Sequence, residues 1–333
     1  MGVDKIRVSV GSAAVLGLRP LGKMEIVPST CYLMTYKEGA CSANCGFCPQ
    51  ARSSKSSKEK LSRVTWPVFE FKTFLTKLKY LAPTKQFKRI CIQALNYPEN
   101  FKDLIFIVKN IRGFLRTPIS VAIPPLSKEK SRELKAAGVN RVGIALDGAT
   151  KEVFTKIKGS GVKGPYTWEK HFEAINQSLE IFGENNVSTH IIIGLGETEK
   201  EVVGLLEKLG DLKVIPSLFA FTPIKGTGLE GLQKPELLKY RRLQLARYLV
   251  LHEEKKLNDF TFNSRGKIIQ FDINKRQLWN FMEENGIFRT RGCPNCDRPY
   301  YTSRPSGPLY NYPRKLEPQE KEEIYNSLQK FVR

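Results

Sequence analysis

The chain of 333 residues has no apolar run long enough to cross a bilayer. Its opening, "MGVDKIRVSVGSAAVLGLRP", holds one short apolar patch but neither the h-region nor the cleavage site of a secretory signal. The Met-Gly start lacks the Ser or Thr that would favour myristoylation. These absences predict a cytoplasmic protein with no membrane partner. Acidic residues are scarce: 33 Asp and Glu stand against 54 Lys and Arg, for a net charge of +21. The excess is uneven, with eleven basic against two acidic residues between Ala51 and Arg89, and six against one between Arg289 and Lys315. A field of this size favours an acidic partner, whether nucleic acid, anionic membrane or acidic protein. A Lys-rich surface with no functional meaning has the same composition. There is no repeat of fixed period, and "SSKSSKEK" reads as a short polar loop. The length suits one large α/β barrel or two ordinary domains.

What the chain does have is seven cysteines: Cys31, Cys41, Cys45, Cys48, Cys91, Cys293 and Cys296. An odd number with two tight groups is poor material for a disulfide framework and good material for metal. The stretch "GACSANCGFCPQARSS" (39–54) brings three of them into eight positions. Three thiolates are one too few for a closed tetrahedral zinc site. They supply either three-quarters of a zinc site or the ligands for three irons of a 4Fe-4S cluster, leaving the fourth iron open. Cys293 and Cys296 form a CxxC in the non-helical run "RGCPNCDRPYY", whereas a redox pair expects a helix start. A zinc ribbon would need a second CxxC, which the chain lacks. Cys31 and Cys91 lie in strand-like runs, where a cysteine is ordinarily a small buried hydrophobe.

Short β-branched runs alternate with helical patterns. Strands are expected at 26–36, 89–95, 118–123, 141–147, 187–193, 216–222 and 259–264, and helices at 66–81, 101–114, 127–138, 167–183, 198–212 and 234–250. Ser127 and Thr198 read as helix N-caps. This alternation predicts an α/β fold with a parallel sheet, closed as a TIM-type (βα) barrel of six to eight units. The expected organisation is an N-terminal segment at 1–25, the barrel at 26–285, and an irregular cysteine-containing extension with a final helix at 286–333. The extension is rich in Pro, Gly, Arg and Tyr and needs something to pin it.

Cys41-x3-Cys45-x-Phe47-Cys48 resembles the CxxxCxΦC motif of the radical S-adenosylmethionine (radical SAM) family. The resemblance implies that the open iron chelates S-adenosylmethionine, that one electron passed to the sulfonium yields a 5′-deoxyadenosyl radical, and that Phe47 lies against the adenine. "THIIIGLGETEKEV" resembles the family's glycine-rich segment after the fifth strand, through Ile192, Gly194 and Glu197, with His190 where a glycine is usual. Gly194 and Gly196 also suit a tight turn needing positive φ. "FTPIKGTGLEG", with Ile224, and "GIALDGA" resemble the sixth- and fourth-strand segments of biotin synthase. The latter implies that Asp147 meets the ribose hydroxyls, although Asp is also favoured as a plain turn residue. "RICIQALNYPEN" resembles that enzyme's second strand, whose cysteine, here Cys91, ligates an auxiliary 2Fe-2S cluster. The two other cysteine ligands and the arginine of that site are missing: "ISVAIPP" has no Cys, Ser188 takes the fifth-strand position, and Phe262 stands at the arginine position. Cys31, Cys91, Cys293 and Cys296 are therefore the expected auxiliary ligands, of a 4Fe-4S cluster, with Ser303 as a weak substitute for Cys31.

Over about Arg7 to Arg314 the chain is most similar to archaeal biotin-synthase-like proteins that act as a pair of lipoyl synthases. That likeness implies sulfur insertion at an unactivated C–H bond of a protein-bound octanoyl chain, with the auxiliary cluster consumed as sulfur donor. The expected partners are an acidic octanoylated lipoyl-carrier domain, a second paralogous radical SAM protein and an electron donor. The alternatives are sulfur insertion into dethiobiotin or another small molecule, and an RNA-modifying radical SAM enzyme. No RNA-binding module is recognisable, and nucleic acid is not an expected partner. A non-enzymatic zinc protein would leave the Cys41/Cys45/Cys48 triad unexplained.

Overall fold

The computed structural model describes residues 2–20 and 25–333; residues 21–24, part of the segment expected at 1–25, lie outside the described residues. The first elements are β1 (Lys5–Val8), α1 (Val10–Val15) and β2 (Thr30–Thr35). A small hairpin, β3 (Lys60–Leu61) and β4 (Val64–Thr65), precedes β5 (Val68–Glu70) and α2 (Phe71–Leu81). Strand and helix then alternate as β6 (Arg89–Gln93), α3 (Asn100–Arg112), β7 (Ile119–Ala122), α4 (Lys128–Ala136), β8 (Arg141–Gly143), α5 (Lys151–Ile157), α6 (Trp168–Phe182), β9 (Val187–Ile193), α7 (Glu199–Asp211), β10 (Ile215–Ala220) and α8 (Leu237–His252). The chain ends with β11 (Phe260–Phe262), β12 (Ile268–Phe271), α9 (Lys275–Asn285) and α10 (Pro318–Leu328).

Six strands, β2, β6, β7, β8, β9 and β10, run parallel and lie side by side in chain order. Parallel neighbours need a crossover, and the intervening helices supply it. Residues from all six strands, including Met34, Gln93, Ala122, Gly143, His190 and Phe219, line one internal chamber, so the sheet curls into a six-unit barrel of TIM type. The other face packs the helices: α7 buries Val202, Val203, Leu205, Leu206 and Leu209, and Thr198 caps it in a capping box with Glu201. Ser127 caps α4 by accepting from Lys130 N.

Two expectations change. The segment 259–264 does not become a barrel strand. It forms β11, which pairs antiparallel with β12 in a separate hairpin. Only one face of that hairpin is buried, whereas a barrel strand is covered on both. The segment at 1–25, for which no strand is expected, contributes β1, antiparallel to β2, and β1 in turn pairs with β5.

The parallel strands leave a gap between β2 and β10, which are not hydrogen-bonded to each other. The extension runs along it. Thr30 Oγ1 donates to Asn295 O (2.7 Å), Arg89 Nε to Pro294 O (2.7 Å) and Asn311 Nδ2 to Leu218 O (3.2 Å). Helix α8 lies beneath this seam and is buried on nearly every side from Tyr240 to Val250. Its Arg242 pairs with Glu199 of α7 (Nε to Oε2 2.9 Å), and Glu199 also accepts the Ile268 N–H at 3.1 Å. One buried ion pair thus joins α7, α8 and the β12 hairpin. Arg242→Met strands the Glu199 carboxylate, and we expect a loss of about 3–5 kcal/mol in denaturant unfolding, the range for breaking a buried pair from one side.

Candidate active site

The loop between β2 and β3 is fixed largely by its own backbone. Cys41 N donates to Gln50 O (3.0 Å), Arg52 N to Ala43 O (2.9 Å), and Cys48 N to Cys45 O (3.0 Å) in a tight turn. Lys58 clamps the far side, its ammonium donating to Pro49 O, Ala51 O and Ser54 O at 2.8–3.2 Å. The polar stretch "SSKSSKEK" therefore holds the cysteine loop in shape. Cys41, Cys45 and Cys48 face a chamber of about 230 Å³ at the C-terminal end of the strands. The Asn96 N–H points at Cys41 Sγ (3.2 Å), the kind of donor that stabilises a metal-bound thiolate. Burial pushes the Cys45 and Cys48 thiols up, Cys48 to about 12, while the neighbouring Lys158 cation opposes the rise at Cys45. Binding of iron would displace those protons. No three His, Cys, Asp or Glu among the described residues are grouped as ligands to a single metal ion. A four-iron cluster needs a wider set, one thiolate per iron, and Cys41, Cys45 and Cys48 would hold three of its irons.

Phe47 lines that chamber and packs with Ile192, Leu195, Phe221 and Leu229. Asp147 lines it too, at φ 63°, fixed by hydrogen bonds from its own N–H to His190 O and from Ile192 N to its carbonyl, both 2.8 Å. Its carboxylate does not stand alone: Lys158 Nζ is 2.7 Å from Oδ2 and also reaches Ala145 O. Lys158 sits over the Tyr166 ring at 5.2 Å. The expected ribose contact is thus left with Oδ1, and Lys158 is a site residue that the sequence reading did not name. Gly194, Glu197 and Ile224 are placed behind the chamber wall rather than on it. Gly194 needs its φ of +105°, and a Cβ there would come within 2.9 Å of Pro235. The two oxygens of Glu197 accept the N–H groups of Gly194 (2.8 Å) and Leu195 (2.9 Å), and Lys239 Nζ is 2.9 Å from Oε1. The Ile224 carbonyl accepts from Thr227 within a turn. These three shape the wall that Phe47 and Ile192 present.

Deeper in the barrel, Cys91, Cys293 and Cys296 line a second, nearly filled chamber of about 30 Å³. Ser120 Oγ donates to Cys293 Sγ (3.1 Å) and Gln93 Nε2 to Cys91 Sγ (3.1 Å). Barrel interiors are usually packed with bulky branched residues, but here Ser120, Ala122, Gly143, Ser188 and Ser217 form the wall. Much of the room is occupied by Arg298, whose side chain hydrogen-bonds Cys91 and whose guanidinium lies 5.8, 5.3 and 5.1 Å from the rings of Tyr32, Phe219 and Tyr301. Burial raises the Cys91 and Cys296 thiols, Cys296 to about 12, and Arg298 opposes both. Small walls, three thiols and a guanidinium fit an iron–sulfur group. His190, held neutral by burial, lines both chambers.

Cys31 does not join this set. Strand register pairs Tyr32 with Cys91 and Cys31 with Ile90, so Cys31 points outward into the helix-side core with Leu33 and Ile92. One residue of phase turns a strand side chain to the other face. Ser303 is also elsewhere, its hydroxyl accepting from Tyr310 N (2.9 Å), and Phe262 lies in the β11 hairpin. An arginine does lie among the three cysteines, but it comes from the extension, two residues after Cys296; the pattern "NCDRP" was visible, but its place in the barrel was not.

A larger cavity of about 790 Å³ opens beside the barrel between α1, the β3–β4 hairpin and the extension. Val10, Ala14, Ile26, Pro28, Trp66 and Pro299 make it largely apolar. It shares Arg298 and Tyr301 with the first chamber, so these two side chains form the partition.

A family model described as the radical SAM superfamily matches residues 39–209. The chain is 28% identical over 218 residues to the mitochondrial biotin synthase of Arabidopsis thaliana, covering 62% of this chain and 52% of that one. It is 26% identical over 215 residues to the biotin synthase of Schizosaccharomyces pombe, covering 62% and 55%. The match thus spans about half the length of these relatives. In fold the chain resembles the crystal structure of methylornithine synthase (PylB), with a TM-score of 0.51 at 16% identity, covering 68% of this chain and 63% of that one.

The placement of Glu197 makes a distinct prediction. Glu197→Gln puts an amide donor against N–H donors, and unfolding should show a loss of about 2–3 kcal/mol, the size of a buried hydrogen bond to a charged group. Iron content of the folded fraction should not change. A variant of native stability that has lost S-adenosylmethionine binding would instead make Glu197 a direct ligand.

Proposed function

The chain belongs to the radical SAM superfamily, and from that premise we propose a sulfur-inserting member that acts on an octanoyl chain carried by an acidic lipoyl-carrier domain. The observation that carries the reading is the meeting of two cysteine sets inside one barrel. Cys41, Cys45 and Cys48 line one chamber, and Cys91, Cys293 and Cys296 line the other; the two share Ala122, Gly143, His190, Phe219 and Arg298 as lining. A substrate held at that boundary touches both.

Cys41, Cys45 and Cys48 would hold the 4Fe-4S cluster, with the chamber side open to S-adenosylmethionine. Bound there, that pair supplies a radical able to take hydrogen from an unactivated C–H bond, as the family resemblance implies. Phe47 and Ile192 offer an apolar face for a flat base, and Asp147 Oδ1 a hydrogen-bond acceptor. Lys158 offers a cation, with low-dielectric walls to strengthen its pull on an anionic group. Cys91, Cys293 and Cys296 would hold the second cluster, which in this reading is the sulfur-donating substrate. Ser120 and Gln93 already point donors at its sulfur ligands, and Arg298 places a positive charge beside them. Tyr301 and Arg298 separate this interior from the side cavity, whose volume lies within the ordinary range of small-molecule sites and whose apolar lining suits an aliphatic chain. The basic excess of the chain favours encounter with an acidic carrier. A paralogous radical SAM protein and an electron donor complete the proposed system.

A second reading, sulfur insertion into dethiobiotin, is favoured by the biotin synthase relatives and by one feature of the site: an arginine does stand among three cysteines, although it comes from the extension. Anaerobic turnover with S-adenosylmethionine, reductant and either an octanoylated carrier peptide or dethiobiotin, read by mass spectrometry, separates the two. We expect sulfur on the peptide; sulfur on dethiobiotin alone would make the second reading correct.

Two predictions follow from the cysteine sets. Anaerobically isolated protein should carry roughly eight iron and eight sulfide per chain if both clusters have four irons. Cys31→Ala should leave both counts unchanged, whereas stoichiometric zinc without iron would end the radical reading. Replacement of Cys41, Cys45 or Cys48 by Ala should abolish cleavage of S-adenosylmethionine. Replacement of Cys91, Cys293 or Cys296 should spare cleavage and stop sulfur transfer, and intact transfer in those variants would remove the second-cluster assignment.

A further inference from the structure

Three arginines on α8 are buried, and they are satisfied unequally. Arg242 pairs with Glu199, and Arg241 donates to Tyr310 O and Gln244 Oε1, both at 2.7 Å. Arg247 is different. Its Nε donates to Pro216 O at 2.6 Å, and among the described residues neither terminal nitrogen has a hydrogen-bond partner or a carboxylate within 4 Å. The residue is only 8% exposed. It lines a cavity of about 560 Å³ at the end of the barrel opposite the Cys41 loop, under the N-terminal ends of the strands. Arg291 of the extension lines the same cavity and has no ion pair among the described residues. Burial and Arg291 together hold the Arg247 guanidinium down to about 10, the mark of a positive charge lacking a counter-ion. His252 faces the same space, and burial followed by both arginines keeps it from taking a further charge.

Carboxylates do occur on the walls. Glu207 accepts the Leu257 N–H, and Asp211 pairs with Lys256. Glu254 lies on the wall as well, but not within ion-pair distance of either arginine. Arg247 is enclosed by protein except where its terminal nitrogens meet the cavity, and a guanidinium so placed is stabilised when an anion there meets its donors. Two forks of N–H donors in a cavity match the oxygens of a carboxylate or phosphate group.

We propose that the cavity between α8 and the extension is a binding site for a small oxyanion, held by Arg247 and Arg291. The site is separate from both cysteine chambers, yet it meets the deeper one at Gly292, which lines both and precedes Cys293. An anion there neutralises two cations next to the CxxC turn and ties the extension to α8. Binding needs no covalent step and does not depend on which substrate the barrel thiolates.

The test is equilibrium dialysis of radiolabelled inorganic phosphate against the anaerobically prepared holoenzyme, in a chloride buffer of fixed ionic strength. We expect one saturable site per chain. Arg291→Gln, on the partly exposed extension, should raise the dissociation constant at least tenfold, whereas the exposed Arg265→Gln should leave it unchanged. Arg247→Lys keeps the charge but loses the fork and should weaken binding by a similar factor. Competition by sulfate but not acetate assigns the site to tetrahedral anions, and the reverse to carboxylates. Absence of saturable binding of both labelled phosphate and labelled acetate, or binding equally tight in Arg291→Gln, would overturn the proposal.

Discussion

The architecture turns on the guanidinium of Arg298. The six parallel strands do not close their hydrogen-bond ladder, since β2 and β10 are unpaired with each other, and the gap between them is filled by something else. Arg298 fills it from the extension, lying against Tyr32 of β2, Phe219 of β10 and Tyr301 of its own segment. The contact suits arginine in particular, since its flat, weakly hydrated cation stacks on aromatic faces where a lysine ammonium would keep its water. The same side chain reaches Cys91 and lies beside Cys296. Closure of the barrel and assembly of the second thiol set are thus one event. The irregular extension has few backbone ladders of its own; it is held by side-chain donors that include Thr30 and Arg89 of the strands and Arg63 of the β3–β4 turn.

This explains why the interior is built from small residues. A barrel that packed Leu and Val at the level of Ser120, Gly143, Ser188 and Ser217 would be more stable in itself, by the ordinary accounting of buried apolar surface. It would also exclude the extension. The second chamber is therefore not an ordinary gap in the core: two cysteines arrive from outside the barrel into space that the strands leave open. Ser188 stands where the likeness to biotin synthase implies a fifth-strand cysteine. Ser120, on the third parallel strand, donates to an incoming sulfur.

Much of this was legible in the sequence, and the limits have physical reasons. The six barrel strands were readable because each is a short β-branched run bounded by turn residues, and Cys41, Cys45 and Cys48 because their spacing lies within one loop. Thr198 and Ser127 were readable because a cap is a local interaction. Strand phase was not: Cys31 and Cys91 look alike in sequence, and only the register that pairs Tyr32 with Cys91 turns one inward and the other out. Nor could Glu197 be assigned from a motif, since its partners are backbone N–H groups whose direction depends on the Gly194 turn. Arg298 and Lys158 were missed for a common reason. Each acts across more than ten residues or from an irregular segment, where neither periodicity nor spacing carries information.

Charge offers the last link between fold and function. Each cysteine set has cations beside it, with Lys58 and Lys158 at the first and Arg89 and Arg298 at the second; Lys158 and Arg298 oppose the rise that burial imposes on neighbouring thiols. Thiolate-bound clusters carry net negative charge, and their potentials respond to nearby charge and hydrogen bonds, so in the proposed function these two cations are part of the chemistry rather than of solubility. Fully buried cations are few, however: Arg7, Arg89, Lys158, Arg241, Arg242 and Arg247, set against the buried Asp147, Glu197 and Glu199. They account for only a small part of the +21. Most of the excess therefore lies where it can act on a partner. Interior cations are met individually by carbonyls, carboxylates or rings, and Arg247 is met at its Nε alone, by Pro216 O. Surface charge of one sign acts collectively and over a screening length, which speeds encounter with an acidic protein without fixing its pose. In the proposed function, recognition of the carried chain then falls to the apolar side cavity and its Arg298–Tyr301 partition, the place where the seam of the barrel and the route to its chemistry coincide.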